Sequence, residues 1–198
     1  MIPSSRAPAD LVLLGGVPGA GKSTALRALA ARRGDLRILD SEQTRARLAA
    51  GLRHGLAYRY YRPLVHLLHH LAVLARVLIG PRARLVVHDP GTRGWTRRLL
   101  LRIARWRGWT PSVVFIDVAR SDALAGQVAR QRMVRAGAFD RHWATWSGLR
   151  VGAVAGVLAD EPWRAVRVAD RRGAVRALLG EFGLTGAGAG PVVPALAA

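Results

Sequence analysis

Short apolar runs alternate along this chain with stretches of helical periodicity. LVLLGG (11–16) is an apolar run closed by glycine and reads as a buried strand. KSTALRALAARRG (22–34) carries leucines at 26 and 29, arginines opposite and a terminal glycine, the pattern of a helix. LRILD (36–40) predicts a second strand. SEQTRARLAAG (41–51) predicts a helix with a serine cap, an acid in its first turn and a closing Gly51. From Pro63 to Ile79 the leucines at 64, 67, 68, 71, 74 and 78 form one helical stripe, with Pro63 suited to the first turn. His66, His69 and His70 lie off that stripe, toward a cleft or solvent.

The alternation continues to the end of the chain. RLVVHD (84–89) is a third strand, and residues 95–108 are a helix with Trp95, Leu99, Ile103 and Trp106 on one face, which places both tryptophans in the core. Arg98, Arg102 and Arg105 form the opposite stripe. SVVFIDV (112–118) is a fourth strand, helices are expected over 121–137 and 142–159, RAVRVAD (164–170) is a fifth strand, and 172–182 a last helix. Apolar, non-alternating strands separated by helices predict a parallel sheet covered on both faces. The fold class expected is α/β, a three-layer sandwich with a five-stranded parallel sheet. One domain is expected over residues 10–183, with a loose tail at 1–9 and a Gly/Pro/Ala low-complexity tail at 184–198.

Composition narrows the chemistry. A chain of 198 residues without cysteine excludes disulfides and Cys-ligated zinc or iron–sulfur centres. The stretch 63–80 is apolar, but three histidines and Arg76 make it too polar to read as a membrane span, so a cytoplasmic protein without membrane contact is expected. The net charge of +19 suits a polyanionic partner such as nucleic acid, and it also suits a biased arginine-rich composition. Lys22 is the only lysine; every other basic residue is an arginine or a histidine.

That lysine lies in Gly16–Val17–Pro18–Gly19–Ala20–Gly21–Lys22–Ser23, which fits G-x-x-x-x-G-K-[ST] between a predicted strand and a predicted helix. The glycines let successive backbone N–H groups converge on one anion at a helix N-terminus. Lysine supplies a slim point charge to the β- and γ-phosphates where arginine's planar fork does not fit. Gly16 to Thr24 are therefore expected to hold ATP, and Ser23 to offer its hydroxyl to Mg²⁺. Asp89, at the end of the third strand, is a second candidate for Mg²⁺ or a cap of the turn DPGT. No NKxD-type guanine signature is present.

Together VLLGGVPGAGKSTALRALA, ILDSEQTRARL, LVVHDPGTRGWTRRLLLRIA and VFIDVARSDALAGQVARQRMVRAG resemble the small P-loop kinases typified by polynucleotide kinase and zeta toxin. The resemblance implies a P-loop NTPase fold with a small arginine-rich lid. It also implies transfer of the ATP γ-phosphate to a hydroxyl acceptor, either a nucleic-acid end or a small metabolite. That family places an acid at the end of the second strand and an arginine three residues on, a spacing Glu42 and Arg45 match. The family residue is usually aspartate, and Asp40 stands two residues earlier, so the base is Asp40 or Glu42. Arg130, Arg132 and Arg135 fall in the lid, with Arg132 favoured for the γ-phosphate and Arg130 nearer the adenine. Asp170 and Arg171 fall where such kinases seat the base. Arg53, Tyr58, Arg59, Tyr60 and Arg62 interleave rings and charge on the acceptor side.

Overall fold

The computed structural model describes residues 10–51, 58–130 and 133–184. Both tails, Arg53 and Arg132 lie outside these residues, as do the side chains of Tyr58 and Arg59. The five strands among them are β1 (Leu11–Gly15), β2 (Arg37–Leu39), β3 (Leu85–His88), β4 (Pro111–Ile116) and β5 (Val166–Ala169). The helices are α1 (Lys22–Arg32), α2 (Ser41–Gly51), α3 (Tyr58–Ile79), α4 (Gly94–Trp106), α5 (Arg120–Val128), α6 (Ala136–Val154) and α7 (Ala174–Glu181).

All strand pairs are parallel, in the order β2-β3-β1-β4-β5. β1 and β4 are buried along their whole length, as unbroken runs of Leu, Val, Phe and Ile require when helices cover both faces. β1 lies between β3 and β4, and the glycine-rich loop and Asp89 emerge side by side at the carboxyl ends of β1 and β3, the end of a parallel sheet at which ligands bind. β2 is a three-residue edge strand with exposed Arg37, a charge that blunts the unpaired edge. Trp146 of α6 packs against Phe115 of β4 with ring centroids 4.9 Å apart and planes tilted by 34°, fixing α6 to the sheet.

Two helices turn faces inward that differ from the expected ones. In α3 the leucine stripe points outward: Leu64, Leu67, Leu68, Leu71 and Leu78 are exposed, while Val65, His69, Val73 and Val77 are buried. These four recur every four residues and form a second apolar face, disguised in the sequence by the histidine in its line. His69 is tolerated there because its Nε2–H donates to the His88 carbonyl at 2.9 Å. In α4 the buried face is Arg97, Leu100, Leu101 and Ala104, and Trp95 and Trp106 are exposed rather than core.

The helix starts and ends also move. α3 begins at Tyr58, so Pro63 lies inside it, beyond the first turn, with no N–H to give to the preceding turn. By length and composition its segment Tyr60–Ile79 is long and apolar enough to cross a membrane, against the sequence reading, although its valine face packs into this fold. The helix expected over 121–137 breaks after Val128, and α6 starts at Ala136. Buried Gln127 holds the break: its side-chain oxygen accepts the Val134 N–H at 2.9 Å.

Candidate active site

The loop between β1 and α1 is built on three glycines with positive φ: Gly16 (137°), Gly19 (87°) and Gly21 (105°). A side chain at Gly19 is doubly excluded, because a Cβ there would lie 1.9 Å from the Ala123 carbonyl of α5. α1 starts at Lys22 with no side-chain cap and no acid in its first turn. The N–H groups of Thr24 and Ala25 both donate to the Gly21 carbonyl at 3.0 Å, and those of Lys22 and Ser23 precede these first bonds, a donor pair suited to an anion. Arg171 braces the loop from behind, donating to the carbonyls of Gly19 at 2.9 Å and Asp122 at 2.7 Å. It secures the loop backbone and joins it to α5.

Lys22 is 7% exposed, and its Nζ donates to the Gly16 and Val17 carbonyls at 2.6 and 2.9 Å. Burial pulls its pKa down to about 8, with the charges of Asp89 and Asp40 working against that fall and Arg130 adding to it. In the unfolded chain the amine titrates near 10.5, so the unfolded state binds more protons between these values and stability rises with pH across that window. Phosphate oxygens brought to Nζ raise its pKa again. Nucleotide binding is therefore expected to take up protons increasingly from pH 7 to pH 9, approaching one per site. Calorimetric titrations in buffers of different ionisation enthalpy measure this directly, and uptake that stays flat over the range would contradict it.

The acids sort into separate positions. Asp40 is buried at the end of β2, where its Oδ1 accepts from His88 Nδ1 at 2.6 Å and from the Glu42 N–H at 3.1 Å. Burial pushes its carboxyl up, but the bonds and charge of His88 and the Glu42 N–H outweigh this and hold it below the usual range. Glu42, in the first turn of α2, lines the phosphate cleft of about 160 Å³ with Lys22, Ser23, His88, Gln127 and Arg130. Arg45 follows on α2, partly buried.

Asp89 does what a turn cap does. Its Oδ1 accepts the Gly91 N–H at 2.7 Å, while Oδ2 stands 3.6 Å from His70 Nε2. Burial raises its carboxyl, and the His70 contact and Gly91 N–H reverse that to a net lowering. Ser23 and Asp89 are the residues that could hold Mg²⁺; Ser23 lines the phosphate cleft and Asp89 a neighbouring cavity. Among the described residues no group of three or more acids and histidines gathers into a metal cage.

Arg130 reaches back from the end of α5 to Thr24, with Nη2 2.9 Å from Oγ1, at the mouth of the phosphate loop. That places it on the phosphate side of the cleft; the other favoured lid residue, Arg132, is outside the described residues. Arg135 is exposed at the start of α6. Three contributors had no signal in the sequence. His88 bridges from β3 to Asp40; Thr92 pairs with His142 of α6 at 2.7 Å; and Arg97 fastens the loop carrying Asp89. The Arg97 guanidinium donates to the Gly91 carbonyl and makes a bidentate pair with Glu161, both contacts at 2.6 Å.

A family described as AAA domain matches residues 11–148. No curated protein matches the chain. Among solved structures the fold is similar to a gluconokinase from Sinorhizobium meliloti 1021, with TM-score 0.53 and 16% identity over 90% of this chain and 94% of that one. It is also similar to a chain of the PezAT chromosomal toxin-antitoxin system of Streptococcus pneumoniae (TM-score 0.51, 18% identity, 65% of this chain and 55% of that one). A third likeness is to a chain of the Pnkp1/Rnl/Hen1 RNA repair complex (TM-score 0.55, 14% identity, 75% and 47%). At these identities the likeness is one of fold.

Proposed function

This chain belongs to the AAA domain family, and on that premise we propose that it is an ATP-dependent phosphotransferase moving the γ-phosphoryl group to a hydroxyl acceptor. The observation that carries this reading is a single cleft in which Lys22, Ser23 and Arg130 meet Glu42 and His88. The fold's likeness to a gluconokinase supports it.

In the proposed reaction Lys22 leaves its two carbonyls for the β- and γ-phosphates, and the loop N–H groups fix the triphosphate in line. Mg²⁺, when bound, draws negative charge from the phosphate oxygens. Glu42 accepts the acceptor's hydroxyl proton as the oxygen forms its bond to the γ-phosphorus. The bond from that phosphorus to the β,γ-bridging oxygen breaks, and ADP departs with the electron pair. Arg130 offsets charge on the transferring group. Asp40, engaged with His88 and the start of α2, holds Glu42 in place rather than acting as the base. Arg45 is the residue proposed to orient the acceptor.

The test uses γ-labelled ATP, Mg²⁺ and acceptor panels with two variants. Glu42→Gln is expected to lower transfer about 10²- to 10⁴-fold while ATP still binds. Asp40→Asn is expected to lower it less, with kcat falling more than KM rises. If both variants leave ATP turnover untouched, the chain is a nucleotide-dependent binding protein and the phosphotransferase reading fails.

A further inference from the structure

A second cavity opens beside the phosphate cleft, between α3 and α4 where they cross β1 and β3. It has a volume of about 370 Å³. Leu13 and Val87 of the sheet form its floor, and Val73 and Leu100 its walls, all four at most 7% exposed. Its rim is apolar as well: Leu67, Trp95 and Leu99 are 55%, 63% and 41% exposed. The polar lining includes Asp89, His70, His66 and Arg93. His88, the residue before Asp89, lines the phosphate cleft, so the cavity's polar end adjoins the phosphate site.

This geometry favours one acceptor chemistry over the others. A polyhydroxylated body entering the cavity would give up water for walls that offer few hydrogen-bond partners, at a cost for each unmatched hydroxyl. A nucleic-acid end needs several cations; of the two arginines that line the cavity Arg97 is committed to Glu161, which leaves Arg93. A hydrocarbon or ring body, by contrast, matches the floor, walls and rim. We infer that the acceptor is an amphipathic alcohol whose apolar body fills the α3–α4 cavity and whose hydroxyl reaches past Asp89 toward Lys22 and Glu42. This rests on the phosphotransferase reading for the reaction, in which the alcohol oxygen takes the phosphoryl group and Glu42 its proton. The binding of the apolar body does not rest on it.

The experiment has two arms. In the first, 1-alkanols from butanol to decanol are titrated into the nucleotide-free protein by ligand-observed NMR. Affinity is expected to rise about three- to fourfold per methylene, the slope of apolar burial, until the cavity is full. Leu99→Arg and Leu67→Arg are expected to weaken octanol at least tenfold. Both residues lie at the exposed rim, so the variants should keep the parent melting temperature. An affinity independent of chain length, or octanol binding unchanged in both variants, overturns the assignment.

In the second arm γ-labelled ATP and Mg²⁺ are supplied with octanol, gluconate or a 5′-hydroxyl oligonucleotide. Label on octanol in preference to the other two supports the inference. Octanol that binds with the methylene slope, while none of the three takes label, supports the cavity and counts against the phosphotransferase. Label on gluconate or the oligonucleotide, with alkanols neither bound nor labelled, supports the phosphotransferase and overturns the alcohol acceptor.

Discussion

Lys22→Ala is expected to lower ATP turnover about 10²- to 10³-fold, the loss seen when one preorganised donor to a developing charge is removed. The expectation follows from how little else can take its place. Lys22 is the only lysine, its Nζ is held on the loop carbonyls of Gly16 and Val17, and α1 has no side-chain cap to contribute. Lys22→Arg should not restore activity, since the planar guanidinium has to enter a concavity shaped around a slim amine. Equilibrium binding of ATP and steady-state turnover check both variants. An alanine variant that binds ATP as tightly as the parent removes the phosphate role assigned to the loop.

The second large effect concerns stability. Arg97 and Glu161 form a pair with both side chains almost wholly inaccessible, and Trp163 Nε1 donates to the same carboxylate at 2.9 Å. Removing one member of such a pair strands a buried charge. Glu161→Ala is expected to cost about 3–5 kcal/mol, on the order of 10 °C in melting midpoint for a domain of this size. Replacing both partners, as in Arg97→Met with Glu161→Leu, should recover a large part of that loss, because the desolvation cost of the ions disappears with them. A midpoint that moves by less than about 2 °C in the single variant contradicts the role, since the loss then falls below about 1 kcal/mol. Because Arg97 also holds the Gly91 carbonyl, the single variant should loosen the turn that places Asp89.

The strands were legible because unbroken runs such as LVLL and VVFI have few alternatives in a chain of this pattern. The loop was legible because its glycines and its lysine are demanded at fixed spacing by backbone geometry and phosphate chemistry. Helix orientation was not. α3 carries two apolar stripes, one of leucines and one of Val65, Val73 and Val77, and periodicity cannot say which of two stripes meets a sheet. The same ambiguity misplaced Trp95 and Trp106. Arg97 was hidden by company: among so many arginines, nothing local marks the one whose partner lies 64 residues away. His88 and Thr92 were missed for a similar reason, since their partners Asp40 and His142 come from other elements. The break after Val128 follows from Gln127, whose side chain competes for a backbone N–H that an uninterrupted helix would satisfy itself.

The solitary lysine has a practical corollary in covalent chemistry. Acylating and aldehyde reagents react with neutral amines, and an ε-amine whose pKa has fallen to about 8 presents that form near physiological pH. Apart from an α-amino group, the 198 residues offer such reagents no other amine. A single mass increment on one peptide therefore reads out whether the phosphate loop is open or filled.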